Sequence, residues 1–192
     1  MGCRLTQIHT RTGDQGITGL GGGVRLPKSS LRICALGDLD EFNCALGVLL
    51  ATDLPAPLAQ TIESSLVGLQ HDLLDLGAEL AFPGRVRLAE GRLLSVEHTL
   101  ESINAELPPL RGFILPGGSP AGATCHLARA VARRAERSLV ALSEVEAVNP
   151  LAIRYLNRVS DLLFVLARAL NHGANRPDVV WEPQGAQSGP SP

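Results

Sequence analysis

Aromatic side chains are scarce in this chain: four Phe, one Tyr and one Trp among 192 residues. With rings and β-branched residues few and Leu and Ala dominant, packed helices are favoured over sheets. Charge of one sign is also missing. A formal net charge of −2 gives no overall pull toward nucleic acid or acidic membranes, so any anion site must be a local cluster. The cysteines, Cys3, Cys34, Cys44 and Cys125, form no CxxC pair and share no zinc-type spacing with histidine, which points to reduced thiols. No apolar run approaches the ~18 residues needed to cross a bilayer. The N-terminus lacks the apolar core of a secretory signal and is short for a transit peptide. The expectation is a soluble cytoplasmic protein of bacterial type, one domain with a sizeable core, with no nucleic-acid or membrane partner.

What is present is organised around Cys125–Leu142, CHLARAVARRAERSLVAL. At helical periodicity Leu127, Val131, Ala135 and Leu142 share one side, and Arg129, Arg133, Glu136 and Arg137 the other. Four-residue steps stack Arg129, Arg133 and Arg137 along one stripe, where like charges repel. A planar guanidinium suits phosphate or carboxylate, so the stripe calls for an anionic partner. The competing interpretation is a solvated basic face.

Residues 9–28, HTRTGDQGITGLGGGVRLPK, read as a glycine-rich loop. Glycines let backbone N–H groups wrap an anion; Thr10, Thr12 and Thr18 add hydroxyls, and Arg11, Arg25 and Lys28 add charge. No Gly-Lys-Ser/Thr follows, so this is not a Walker A loop. Val24 stands where a Rossmann fingerprint needs a small residue. A flexible arm is the alternative.

Five helices are expected, at about 38–52, 57–81, 92–107, 121–145 and 150–172, joined by short connections into a bundle of mostly antiparallel neighbours. The first is predicted to start at Asp38 as N-cap, with Glu41 completing a capping box and Asp40 left to pair elsewhere. In the second, Leu58, Ile62, Leu66, Leu69, Leu73, Leu76 and Leu80 make a heptad-like seam. His71 and Asp72 there read as surface or core-edge residues. Residues 82–91 read as a solvated connection. The loop 111–120, RGFILPGGSP, carries apolar residues at Phe113, Ile114 and Leu115, which could plug the bundle or contact a large apolar ligand. It leads into the arginine helix, with Ser119 as a cap. In the last helix Arg154, Asn157, Asp161 and Arg168 are expected on one polar stripe. Trp181 is expected to pin the start of a Pro/Gly/Ser-rich tail.

The motifs TRTGDQG with Lys28, GDLDEFN, GFILPGG, RAVARRAER and YLNRVSDLLF occur in that order. Together they resemble the PduO-type ATP:cob(I)alamin adenosyltransferases, over roughly residues 5–182. The resemblance implies an all-α five-helix bundle assembling as a homotrimer, with active sites at subunit interfaces. It implies one domain over 1–183, with an ATP loop at 9–28 and a disordered tail at 184–192. The implied reaction moves the 5′-deoxyadenosyl group of ATP to the cobalt of cob(I)alamin, giving adenosylcobalamin and triphosphate. Thr10, Arg11, Thr12, Gly13, Thr18, Gly19 and Lys28 would cover ATP. Arg133, Arg134, Glu136 and Arg137 would serve the nucleotide and its Mg²⁺, with Asn157. Arg129 would pair across the interface with Asp40. Asp161 would handle the corrinoid, and Phe113 would displace its lower axial ligand. A reductase and a cobalamin-dependent mutase are the implied partners. No protein ligand set for a resident metal is implied.

The chemistry suits these residue types. Co(I) is a strong nucleophile that needs no protein base, so the protein's tasks are positioning and meeting the charge that grows on triphosphate. Three features depart from the family pattern: Ser29 and Ser30 where acidic residues are common, Asp38 where Thr or a similar residue is usual, and Trp-Glu-Pro in place of Trp-Arg-Pro. Two other functions compete: an ATP- or corrinoid-binding sensor or chaperone without transfer activity, and a structural helical module whose arginines pair with partner carboxylates.

Overall fold

The structure, a computed structural model, describes residue 9 and residues 11–183. Five helices form the body: α1 (Leu31–Leu50), α2 (Ala56–Ala81), α3 (Glu90–Ala105), α4 (Pro120–Ser143) and α5 (Pro150–Gly173). A small hairpin precedes them, β1 (Ile17–Gly19) pairing antiparallel with β2 (Arg25–Pro27) in the register Ile17↔Pro27. The glycine-rich stretch expected to be a loop therefore contains two short strands. Alternation in them is too brief, and glycine too dense, to be read from sequence.

The main correction concerns α1. It begins about two turns before Asp38. Ser30 takes the extended N-cap conformation, and no cap bond involves Asp38 or Glu41. The apolar period runs unbroken through Ala35, Leu39, Phe42, Leu46 and Leu49, all buried, so the helix extends as far as that stripe does. Asp38 and Glu41 sit inside the helix and reach across to α4. Asp38 accepts a bond from the Ser138 hydroxyl and stands 3.4 Å from Arg134 Nε, while Glu41 forms an ion pair with Arg134.

The other helix ends follow local rules. Ser119 Oγ accepts from Gly122 N at 3.0 Å, as expected, and Asn149 caps α5 through Leu151 N at 3.0 Å. Pro120 and Pro150 occupy first-turn positions, where no backbone donor is needed. The α2 seam is buried from Ile62 to Leu80.

Cross-links fix the helix directions. Arg32 with Glu146 and Asp38 with Ser138 set α1 and α4 antiparallel. Arg133 with Ser160 and Glu136 with Asn157 do the same for α4 and α5. Asn43 and Gln70 exchange amide-to-carbonyl bonds between α1 and α2. The pair α3 and α5 runs parallel, joined by Arg154 to Glu90 and Arg158 to Glu97. The hairpin and the 113 loop consequently lie at opposite ends of the bundle. Inside the core the Tyr155 hydroxyl donates to Asp72, which Arg92 holds at 2.7 and 2.8 Å. Asp72 is thus a core-edge group, as read from sequence, and exposed His71 is a surface one. Among the described residues no helix is long and apolar enough to cross a membrane. The expected disordered tail, 184–192, lies outside the described residues.

Candidate functional site

Helix α4 presents Arg129 and Arg133 toward α5. A cleft of about 270 Å³ opens between them, with Arg129, Arg133, Ser160 and Asp161 on its polar side and Leu100, Phe164 and Val165 on its apolar side. The amphipathic periods of α4 and α5 put these residues on adjoining faces. Arg129, Arg133 and Asp161, picked from sequence, are brought together here; Ser160 was not picked, since a serine in a helix carries no pattern. Arg133 Nη1 lies 3.5 Å from Ser160 Oγ, and Arg137 Nη1 donates to the Arg133 carbonyl at 3.2 Å. Among the described residues, neither of these two, nor Arg129, has a carboxylate within ion-pair distance. Arg129 Nε is buried without a partner. Such a group costs free energy until something accepts from it.

Arg134 differs. It is held by Asp38 and Glu41 of the same chain, and the Glu41 bond is the main cause that raises its pKa. Its charge is met internally, which separates it from the other three. Glu136 and Asn157 are joined, Asn157 Nδ2 donating to Glu136 at 3.0 Å. Asp161 accepts from Arg158 at 2.9 Å.

Two expectations about faces fail. Leu127 is 61% exposed rather than buried, because the buried arc of α4 is centred further round the helix, on Ala128, Leu139, Ala132 and Cys125, which leaves Leu127 beyond its edge. The polar stripe of α5 is not one surface. Arg154 turns to Glu90 of α3 and Asn157 to α4, while Arg168 is buried near the C-terminal end of α5 against Asp178. Helical spacing of three, four and seven along the chain could not show that three different neighbours meet that stripe.

The hairpin organises the first motif. Lys28, the only lysine in the chain, donates its backbone N–H to Gly16 O at 2.8 Å. Its ammonium lies 3.3 Å from where a Gly13 Cβ would stand, so the lysine side chain packs closely over the glycine. Arg25 fastens the turn through Thr12 O at 2.7 Å. Arg11 holds a left-handed φ of 58° and is exposed, as is Lys28. Thr18 and Gly19 lie on β1. The Phe82 ring covers Gly21 and seats the hairpin against the end of α2. Thr10 lies outside the described residues.

At the other end Phe113 is 80% exposed. The Trp181 ring meets it edge-on with centroids 6.4 Å apart, so the tail is pinned as expected. Asp40 is exposed on α1 and forms no ion pair with Arg129 within the chain. His126, not singled out from sequence, is buried beside Phe164 with neither ring nitrogen partnered. Burial, then the nearby Arg129, lowers its pKa. Burial also pushes the Cys125 thiol well up, making it unreactive. Among the described residues no group of three or more His, Cys, Asp or Glu could hold a metal ion alone. The arrangement can bind an extended polyanion along α4 next to an apolar wall; among the described residues no nucleophile–base pair is hydrogen-bonded in it.

Comparison with known proteins agrees with this geometry. The family model described as cobalamin adenosyltransferase matches residues 8–170. A cobalamin adenosyltransferase of Cupriavidus metallidurans is 51% identical over 183 residues, 95% of this chain and 97% of that protein. A corrinoid adenosyltransferase of Mycobacterium leprae is 44% identical, covering 96% of this chain and all of its own. A PduO-type ATP:corrinoid adenosyltransferase variant from Lactobacillus reuteri, solved with cobalamin and ATP, superposes with a TM-score of 0.88 at 30% identity, over 92% of this chain and all of that one.

Proposed function

The chain belongs to the cobalamin adenosyltransferase family and is an ATP-dependent corrinoid adenosyltransferase, and from that premise we propose how its residues divide the work. The observation that carries the proposal is the stripe of Arg129, Arg133 and Arg137, which have no carboxylate partners among the described residues, beside the half-apolar cleft. In the reaction the Co(I) electron pair forms the Co–C5′ bond of the product as the C5′–O bond of ATP breaks. Triphosphate leaves with the bonding pair. No proton moves in this step, so the cleft needs no general base.

Arg133 and Arg137 meet the triphosphate, whose charge is most concentrated as it departs. Lys28, Arg11, Thr12, Gly13, Thr18 and Gly19 close over the nucleotide from the hairpin and the turn before it, and Thr10 is assigned to the same nucleotide-binding motif. Arg134 acts by tying α4 to α1 and aligning the stripe. Asn157 and Glu136, already joined, form the polar floor for the nucleotide. Magnesium fits as an ion carried on the triphosphate: Glu136 stands among the arginines of α4, and Mg²⁺ commonly binds phosphates with one or two carboxylates. Its part is to neutralise phosphate charge. Asp161 faces the corrinoid, and Phe113 excludes the lower axial ligand.

In one chain the hairpin and Phe113 stand at opposite ends, and Arg129 lacks an acceptor. A homotrimer with sites between subunits accounts for both, with Arg129 pairing to Asp40 of the partner subunit. A one-electron reductase must supply the reduced corrinoid, and a cobalamin-dependent mutase would take the product.

The test is anaerobic absorbance of adenosylcobalamin formation from chemically reduced cobalamin, ATP and Mg²⁺. Protein-dependent turnover is expected. ATP binding without turnover would move the assignment to a carrier or sensor.

A further inference from the structure

A wedge works only if it is held. Phe113 is a largely exposed ring on a loop rich in Gly and Pro, yet displacing the lower ligand of cob(II)alamin means breaking a Co–N bond and keeping the departing base, with its electron pair, away. The structure fastens this loop from α5. Arg168 Nη2 donates to Pro108 O at 2.7 Å, ahead of Phe113. Behind it, Asn171 Nδ2 donates to Gly117 O at 2.9 Å, while its Oδ1 accepts from Ser119 N at 2.9 Å and Ser119 Oγ at 3.1 Å. A Cβ at Gly118 or Gly122 would run into the Asn171 amide, so both glycines are there to admit it.

A strap formed by residues 178–181 runs alongside. Leu115 N donates to Val179 O at 2.8 Å, and Trp181 N donates to Phe113 O at 2.7 Å, flanking the Ile114↔Val180 bridge. The same Arg168 holds this strap, its Nε donating to Asp178 Oδ2 at 2.8 Å. Arg168 and Asn171 stand one turn apart on α5, 5% and 3% exposed. A buried guanidinium is a poor source of stability by itself. Its fork here joins the two chain segments that bracket one exposed ring.

We infer that Arg168 and Asn171 are positioning residues that, together with the strap through Asp178 and Trp181, hold Phe113 rigid against the lower face of the corrinoid. The inference rests on the reading of Phe113 as the group that excludes the lower ligand. Cob(I)alamin carries no lower ligand, so the clamp matters for cob(II)alamin and is dispensable once the metal is reduced. That difference separates positioning from general stability.

The experiment uses the full-length enzyme with Arg168→Met, Arg168→Lys and Trp181→Ala. Each is assayed with chemically reduced cob(I)alamin, and with cob(II)alamin plus a reduced-flavin electron donor. Arg168→Met and Trp181→Ala should lower turnover of cob(II)alamin at least about tenfold, because a small misplacement of a working group is costly. Turnover of cob(I)alamin should stay within about twofold and the KM for ATP should hold, since neither depends on the wedge. The electron paramagnetic resonance signal of four-coordinate Co(II) with ATP bound should shrink in parallel, and Arg168→Lys should restore part of it. Equal losses on both corrinoids, or none on either, would overturn the inference. If Arg168→Met does not fold, exposed Trp181→Ala carries the same comparison. Failure of the wild-type enzyme to use cob(I)alamin would instead sink the functional reading beneath it.

Discussion

At the scale of single residues, the groups that matter most are those whose polar atoms find too few partners in one chain. Arg133→Ala should lower turnover about a hundredfold or more, in line with removal of a charge-stabilising donor, while leaving the melting temperature nearly unchanged. A folded variant with near-normal kcat would remove Arg133 from the phosphate site. Phe113→Ala should suppress four-coordinate Co(II) far more than ATP affinity; equal loss of both would refute that division of labour. His126 supplies a pH prediction. Its folded pKa is depressed by burial and then by Arg129, so below the unfolded value of about 6.5 the unfolded chain binds the extra proton. Its contribution to stability is intact above that value and is lost as pH falls toward the folded pKa. His126→Phe should flatten the dependence of melting temperature on pH just below about 6.5; an unchanged slope would place the titration elsewhere.

At the scale of elements, α1 shows how a local rule yields to a tertiary one. Asp38 and Glu41 have the residue types and spacing of a capping box, yet both lie within the helix and tie it to α4. The two roles can be separated. Asn and Ser are as good as Asp at an N-cap, but a serine side chain in place of Asp38 would be too short to reach Ser138. Asp38→Ser should therefore destabilise about as much as Asp38→Ala, by about 1 kcal/mol, the typical worth of one such bond. Denaturant melts giving a silent Asp38→Ser would restore the capping role. At α4, the Ser119 cap was readable because Ser stands just before Pro and a long amphipathic run. Its second bond, to Asn171 fifty-two residues on, was not.

At the scale of the whole molecule, the bundle sets its two working loops apart and leaves Arg129 Nε buried without an acceptor among the described residues, and the proposed site between subunits is what these two features support. Asp40→Ala should weaken the trimer in sedimentation and reduce turnover at dilute enzyme, with recovery at higher concentration. A monomeric, fully active wild-type chain would exclude an interfacial site. Saturating ATP should also raise the melting temperature, since ligand at about 100 times Kd adds about 2.7 kcal/mol to the folded state.

The sequence by itself determined the number of helices, their approximate spans, the buried seam of α2 and the arginine stripe of α4. It also carried the family, through five ordered motifs. Each of these is periodic or contiguous, and periodicity depends on backbone geometry alone. Only the tertiary structure decided which neighbour meets each face. It turned Asp38 from cap to tie, exposed Leu127, withdrew Arg134 into an internal pair and split the α5 stripe three ways. It placed Arg168, Asn171 and Asp178 around the Phe113 loop. Those outcomes depend on contacts between residues far apart in the chain, and the side chains involved have no spacing rule that marks them in advance.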